Sequence, residues 1–245
     1  MTTQTGTGLT ILLAALALAH GAHALVIGRP VWFPSLRLLV RHSDQAVSAY
    51  IAEVAEREVN HPYVRATEAW PPLSSTGASP TVPKGFRVNA RRQLLGSGVD
   101  LYARVVEQGL RGKRVVDDLQ WAKLITAESA DWRKWNEGMV LMTIVKCFGL
   151  LWSANPCRLV YARWDAPLST EVQGGGKYSS LGFSTLVGHL IEGEERFTVE
   201  WWEEDDSVWL DLLSVSRGSG ILGMLSMPLI RPIQKAFFAA QCRCM

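Results

Sequence analysis

The sequence carries almost no excess of charge. Its 25 lysines and arginines stand against 23 aspartates and glutamates, which leaves +2 over 245 residues, and the basic residues are scattered rather than striped. That removes the electrostatic footprint a phosphate-backbone binder needs, so nucleic acid is not an expected partner. Cysteine is scarce too. Cys147, Cys157, Cys242 and Cys244 form no C-x-x-C pair and no cluster at metal spacing, so all four are read as reduced thiols and no metal is expected. No G-x-G-x-x-G follows a strand and opens a helix, and there is no G-x-S-x-G elbow. Gly174-Gly-Gly-Lys177 lacks the remainder of a phosphate loop and leads into a strand, which makes it a flexible turn. No dissociable cofactor is expected on these grounds. The acidic turn Glu203 to Asp206 lacks the spaced ligands and glycine of a calcium loop and reads as a solvated hairpin tip.

What is present is enough apolar material for a core: 48% hydrophobic residues with 20% charged, and ten tryptophans. Tryptophan, a large ring with one polar N–H, suits core, cavity lining or membrane interface. Residues 9–26 are almost entirely apolar, a length at the lower edge of what spans a bilayer. They read as a membrane anchor, a cleaved signal peptide or a buried helix. The anchor is the reading adopted: Arg29, Arg37 and Arg41 follow the run, no basic residue precedes it, and this bias would leave the C-terminal bulk cytoplasmic. Ala22-x-Ala24 keeps open a secretory route after signal cleavage.

Residues 1–28 are thus assigned to the hydrophobic segment and 29–60 to an amphipathic helical linker, with a helix from Ser43 or Asp44 to Val59 that places Val47, Tyr50, Ile51 and Val54 on one face. A Pro-, Ser- and Gly-rich stretch spans Pro71 to Pro83. Beyond it the pattern predicts a strand at Phe86–Leu95 and a short helix from Asp100 to Gly109. Met139–Trp152 allows two strands or one long one. Further strands are expected at Cys157–Trp164, Tyr178–Val187, Arg196–Trp202 and Val208–Ser216. A tail with helical spacing in Ile221, Leu225, Leu229, Ile233 and Phe237 is interrupted by Pro228 and Pro232. This is an α+β pattern, with one domain over residues 61–245.

The stretch Thr185-Leu-Val-Gly188-His189, followed by Gly193-Glu194-Glu195 and Phe197, resembles the YGTL-x-GH-x-x-x-GEE-x-F signature of a family known only as a domain of unknown function. Leu95-Gly-x-Gly98, Leu151-Trp-x-x-Asn-Pro-x-Arg158, Ser216-Arg217 and Pro228 with Gln234 extend the resemblance over residues 61–243. Phe183 and Ser184 stand where the family has tyrosine and glycine. The order of elements is in turn similar to START-like, polyketide-cyclase and birch-pollen-allergen-like helix-grip proteins. That resemblance implies a curved antiparallel sheet wrapped on a long C-terminal helix, with an apolar cavity between them. What it implies about function is an enzyme of natural-product metabolism: cofactor-free cyclisation, isomerisation or dehydration of an apolar polyketide- or terpenoid-like molecule. A non-catalytic lipid or metabolite carrier and a membrane scaffold are the alternatives. His189, with Glu194 and Glu195 close by, is the candidate proton shuttle, since a carboxylate beside an imidazole orients and tunes a general base. Glu194 and Glu195 are adjacent, so on a strand only one can face a cavity. Trp201, Trp209, Tyr178 and Phe183 are the candidate ligand-facing aromatics.

Overall fold

The computed structural model describes residues 36–38, 43–68, 82–111, 121–126, 135–147, 151–168 and 175–244. The apolar run of residues 9–26, expected as an N-terminal hydrophobic helix, lies outside the described residues, as does nearly all of the Pro71–Pro83 stretch. Among the described residues no helix is long and apolar enough to cross a membrane.

In chain order the elements are β1 (Leu36–Leu38), α1 (Asp44–Val54), β2 (Arg87–Ser97), α2 (Val99–Arg104, running on as a π-helical segment Val105–Arg111), β3 (Ala122–Thr126), β4 (Val140–Cys147), β5 (Leu151–Pro167), β6 (Gly176–Thr185), β7 (Ile191–Trp202), β8 (Ser207–Gly218) and α3 (Gly220–Cys244). The long apolar run is thus two strands. All pairing is antiparallel in one sheet of order β2-β8-β7-β6-β5-β4-β3, with β1 alongside β5. Register shifts in β2 and twice in β5 mark bulges, which bend strands and deepen the twist. The curvature closes around α2 and α3.

Side-chain alternation assigns the two faces. Along β7, Glu195, Phe197, Val199 and Trp201 point to the face that carries the helices, and their cross-strand partners Phe183, Leu181, Leu210 and Leu212 point the same way. All but Glu195 join Tyr102, Val105, Val106 and Leu110 of the α2 segment and Phe238 of α3 in the main core, with Trp201 packed against it. Gly182 sits mid-strand because the Tyr161 ring lies where its Cβ would be, 2.1 Å away.

A second core lies on the other face. Ser43 caps α1 by accepting a hydrogen bond from the Ala46 N–H (3.2 Å), and Val47, Tyr50, Ile51 and Val54 pack against Val140, Met142, Ile144, Ala154 and Leu186. The helix stops at Val54 instead of reaching Val59. The guanidinium of Arg158 donates to the carbonyls of Ala55 (2.7 Å) and Arg57 (3.1 Å), satisfying acceptors at the helix end, and Val59 bridges to Leu186 as extended chain.

The tail is one 25-residue helix with both prolines inside it. Its buried stripe departs from the expected one: Ile221 and Leu225 are 75% and 69% exposed, while Ile230, Ile233, Gln234, Phe237, Phe238 and Gln241 turn toward the sheet. The reason is geometric. At 3.6 residues per turn an unbroken i, i+4 series rotates by about 40° per step, so residues sixteen apart cannot share a face.

Candidate functional site

Between the helix-bearing face of the sheet and α3 lies a cavity of two adjoining lobes. The larger, about 140 Å³, is lined by Thr143, Val145, Ser153, Asn155, Cys157, His189, Leu190, Ile191, Glu195, Ile230, Ile233, Gln234 and Phe237. The smaller, about 40 Å³, lies deeper among Leu110, Leu124, Trp135, Leu141, Leu181, Phe183 and Phe197, and shares Thr143, Cys157, Glu195 and Phe237 with the first. Those four residues form the junction. Trp135, Phe183 and Phe197 meet edge to face, with centroids 6.0 and 5.7 Å apart, and wall the inner lobe.

Among the described residues Glu195 is the one acid on this wall. It stands on β7 between Phe183 of β6 and Ser214 of β8, and among the described residues no hydrogen bond or ion pair reaches its carboxyl. The side chain is half-buried, and the larger lobe it faces is partly open to solvent. Removal from solvent, with no cation to compensate, pushes its pKa up to about 8. The neighbouring Cys157 thiol is pushed well above its usual value by burial and by the negative charge of Glu195. It is not a nucleophile at neutral pH.

His189 comes from the β6–β7 turn. Its backbone N–H donates to the carbonyl of Leu186 (3.0 Å), and its Nδ1 accepts from the backbone N–H of Ile191 (2.9 Å). A backbone N–H can only donate, so Nδ1 carries the lone pair and the neutral ring is protonated at Nε2. Burial drives the pKa down to about 3, so the ring is uncharged at neutral pH. His189 therefore offers a hydrogen-bond donor at Nε2, and its Nδ1 lone pair is already engaged.

Glu194 faces away from the cavity. Its carboxylate accepts from the backbone N–H groups of Arg65 (2.6 Å) and Thr67 (2.8 Å), from the Thr67 hydroxyl (2.5 Å) and from the Ser184 hydroxyl (2.8 Å). Next to it Arg196 donates to the Thr67 carbonyl (2.9 Å) and to Asp211 (3.3 Å), and Arg92 pairs with Glu200 at 2.7 Å. This network pins residues 60–68 to the outer face of the sheet. Tyr178 and Trp209 lie on that face too, opposite Glu200 in the register; Trp209 carries the Arg92 guanidinium 4.6 Å above its ring. Trp201 shares the inner face but sits at the strand end, with its N–H on Asp206 (2.8 Å), outside both lobes. Of the residues singled out from the sequence, His189, Glu195 and Phe183 meet at the cavity, whereas Glu194, Trp201, Trp209 and Tyr178 do not line it.

Thr143, Asn155, Cys157, Gln234 and Phe237 escaped sequence reasoning as cavity residues. Asn155 and Cys157 share a face by strand alternation, and Gln234 and Phe237 are one helical turn apart, so the periodicities were readable. What was missing was which faces meet. Gln234 is chemically distinctive because its Oε1 is buried without a partner while its Nε2 reaches the Ser216 hydroxyl at 3.4 Å. Among the described residues no group of His, Cys, Asp and Glu is placed to hold a metal.

A family model described as "Domain of unknown function (DUF1990)" matches residues 72–244. A UPF0548 protein of Arabidopsis thaliana is 28% identical over 158 residues, covering 62% of this chain and 68% of the relative. A UPF0548 protein of Dictyostelium discoideum is 24% identical over 206 residues, covering 82% and 89%. Among solved structures, truncated norcoclaurine synthase from Thalictrum flavum is 14% identical with a TM-score of 0.40 over 64% of this chain and 92% of that one. Ara h 8.0201 is 12% identical with a TM-score of 0.38, over 65% and 97%. Likeness at that level carries no inference about fold or chemistry. The family match, by contrast, takes in the whole of β2 to α3 and the cavity they enclose: this chain belongs to the DUF1990 family of domains of unknown function.

Proposed function

We propose that the protein binds an apolar small molecule between the sheet and α3 and acts on it by cofactor-free proton transfer, with Glu195 as the transferring group. The observation that carries this is a carboxyl without a partner at the junction of two apolar lobes, with its pKa brought near neutrality by burial. A group poised there is mostly protonated at neutral pH yet lies within about one pH unit of releasing its proton, close to where general acid–base catalysis is most effective. His189 supplies a hydrogen bond from Nε2 and does not act as the base. The reaction classes this suits are cyclisation, isomerisation and dehydration of a polyketide- or terpenoid-like molecule in natural-product metabolism. An apolar cavity supports them by holding a flexible chain near its reactive geometry. Membrane association through residues 9–26, with the domain on the cytoplasmic side, is part of the same proposal and is supported by the length of that run and the arginines after it.

A second reading, a non-catalytic carrier, is favoured by the engaged Nδ1 of His189, which leaves the cavity with a single proton-transfer group. The two separate on Glu195→Gln, which keeps the shape and one hydrogen-bond donor but cannot release a proton. With the wild-type protein and cellular extracts as substrate source, the enzyme reading expects a product by mass spectrometry that disappears with Glu195→Gln while apolar ligand still co-purifies. Identical product profiles from the two proteins sink the enzyme reading and leave the carrier.

A further inference from the structure

The polar groups of the larger lobe fix more than a volume. Among the described residues its wall carries one carboxyl with nothing to bond to, that of Glu195. Beside it is the Nε2–H of His189, on a ring already anchored at its other nitrogen. Among the described residues no lysine or arginine lines either lobe. An unpaired carboxyl in such surroundings takes up a proton rather than remain charged, and then becomes a donor. The wall therefore presents two neutral donors, Glu195 and His189, with the Thr143 hydroxyl and the Asn155 amide oxygen on the same lobe, while the Gln234 Oε1 is closed off from it.

An apolar ligand with no polar atom would leave both donors unsatisfied, which weakens its binding. An ammonium would pair with Glu195 but would meet the His189 N–H donor to donor. A carbonyl oxygen accepts from both donors at once.

Resting on the proposed ligand cavity, we infer that its ligand is an apolar carbonyl compound whose C=O oxygen takes hydrogen bonds from Glu195 and His189. The carbonyl sits in the larger lobe beside the junction, one apolar arm enters the Phe183–Phe197–Trp135 lobe, and the rest lies under Ile230, Ile233 and Phe237. Glu195, protonated, can give its proton to that oxygen while its freed carboxylate takes the proton from the adjacent carbon, so that the ketone becomes its enol and the carboxyl is restored, with the His189 N–H holding the oxygen throughout.

The test uses three probes of one shape on the full chain: 1,3-diphenyl-2-propanone, the hydrocarbon 1,3-diphenylpropane and the amine 1,3-diphenyl-2-propylamine. Binding is followed by competition with an apolar dye, and the bound ketone by its infrared carbonyl stretch. The ketone should bind about tenfold or more tighter than the hydrocarbon, the equivalent of 1.4 kcal/mol. Its stretch should move to lower wavenumber on binding, and the shift should be lost in Glu195→Leu. Because the shift is read on the wild-type protein, a poorly folding variant does not remove the test. Equal affinity for ketone and hydrocarbon, or a bound carbonyl with an unshifted stretch, overturns the inference and leaves the apolar cavity standing. Tightest binding of the amine also overturns it and assigns the site to a cation. Failure of all three probes to bind removes the cavity reading itself.

Discussion

Glu194 and Glu195 show how far one peptide bond can separate two identical side chains. Pleating sends Glu194 to the outer face, where two backbone N–H groups and two hydroxyls surround its carboxylate, and sends Glu195 into the cavity, where nothing does. Their consequences for stability run in opposite senses. The Glu195 pKa is raised from 4.5 to about 8 on folding, so the native protein holds a proton that the unfolded chain releases over that interval. Stability from this group is complete below about pH 4.5 and is lost as pH rises to about 8. His189, lowered from 6.5 to about 3, acts the other way: its contribution is complete above about pH 6.5 and is lost as pH falls to about 3. Glu195→Gln removes the first effect alone. Urea unfolding should find the variant more stable than wild type at pH 9 by about 2–4 kcal/mol, the gap closing toward pH 5. A gap that does not change with pH would mean that the Glu195 carboxyl is solvated.

At the scale of an element, α3 is the lid of the cavity, and its sequence explains why it lies there. Its first turns pack tightly on the β6–β7 turn: a Cβ on Gly223 would come within 2.5 Å of the Leu190 carbonyl oxygen. Further along, Ile230, Ile233, Gln234 and Phe237 roof the larger lobe. Phe237 matters most because it borders both lobes and its ring meets Trp121 edge to face at 5.6 Å. Phe237→Ala should merge the lobes, destabilise the fold by about 3 kcal/mol and let a bulkier apolar dye bind more tightly than in wild type. Calorimetry and dye titration on the same sample check both. Unchanged dye affinity in a folded variant would show that the helix collapses into the space. Leu225 and Ile221 belong to the same helix but point to solvent, a distinction that summed hydrophobicity does not make and helical rotation does.

For the whole molecule the decisive feature is that both faces of the sheet are covered. α2 and α3 cover one face, and α1 and residues 60–68 cover the other, with Ile51, Val54, Met142 and Ile144 almost fully excluded from solvent. A chain shortened to begin after residue 60 would expose the apolar surface of β4 and β5 that α1 protects. It should be recovered mostly aggregated, or with a Tm at least 10 °C lower, and a milder Ile51→Ala in the full chain should cost about 2–5 kcal/mol. Differential scanning calorimetry reads both, and a shortened chain as stable as the full one would show that α1 is dispensable. Local pattern alone determined most elements from β4 to α3, the antiparallel class and the opposite orientation of Glu194 and Glu195, because strand and helix periods are properties of neighbouring residues. The tertiary structure alone decided that Glu195 has no partner, that the His189 Nδ1 is occupied, that Trp209 and Tyr178 lie on the outer face, and that Gln234 meets Cys157 across a cavity. Those facts depend on residues tens of positions apart being brought together, and on which face of a pleated sheet a helix comes to cover.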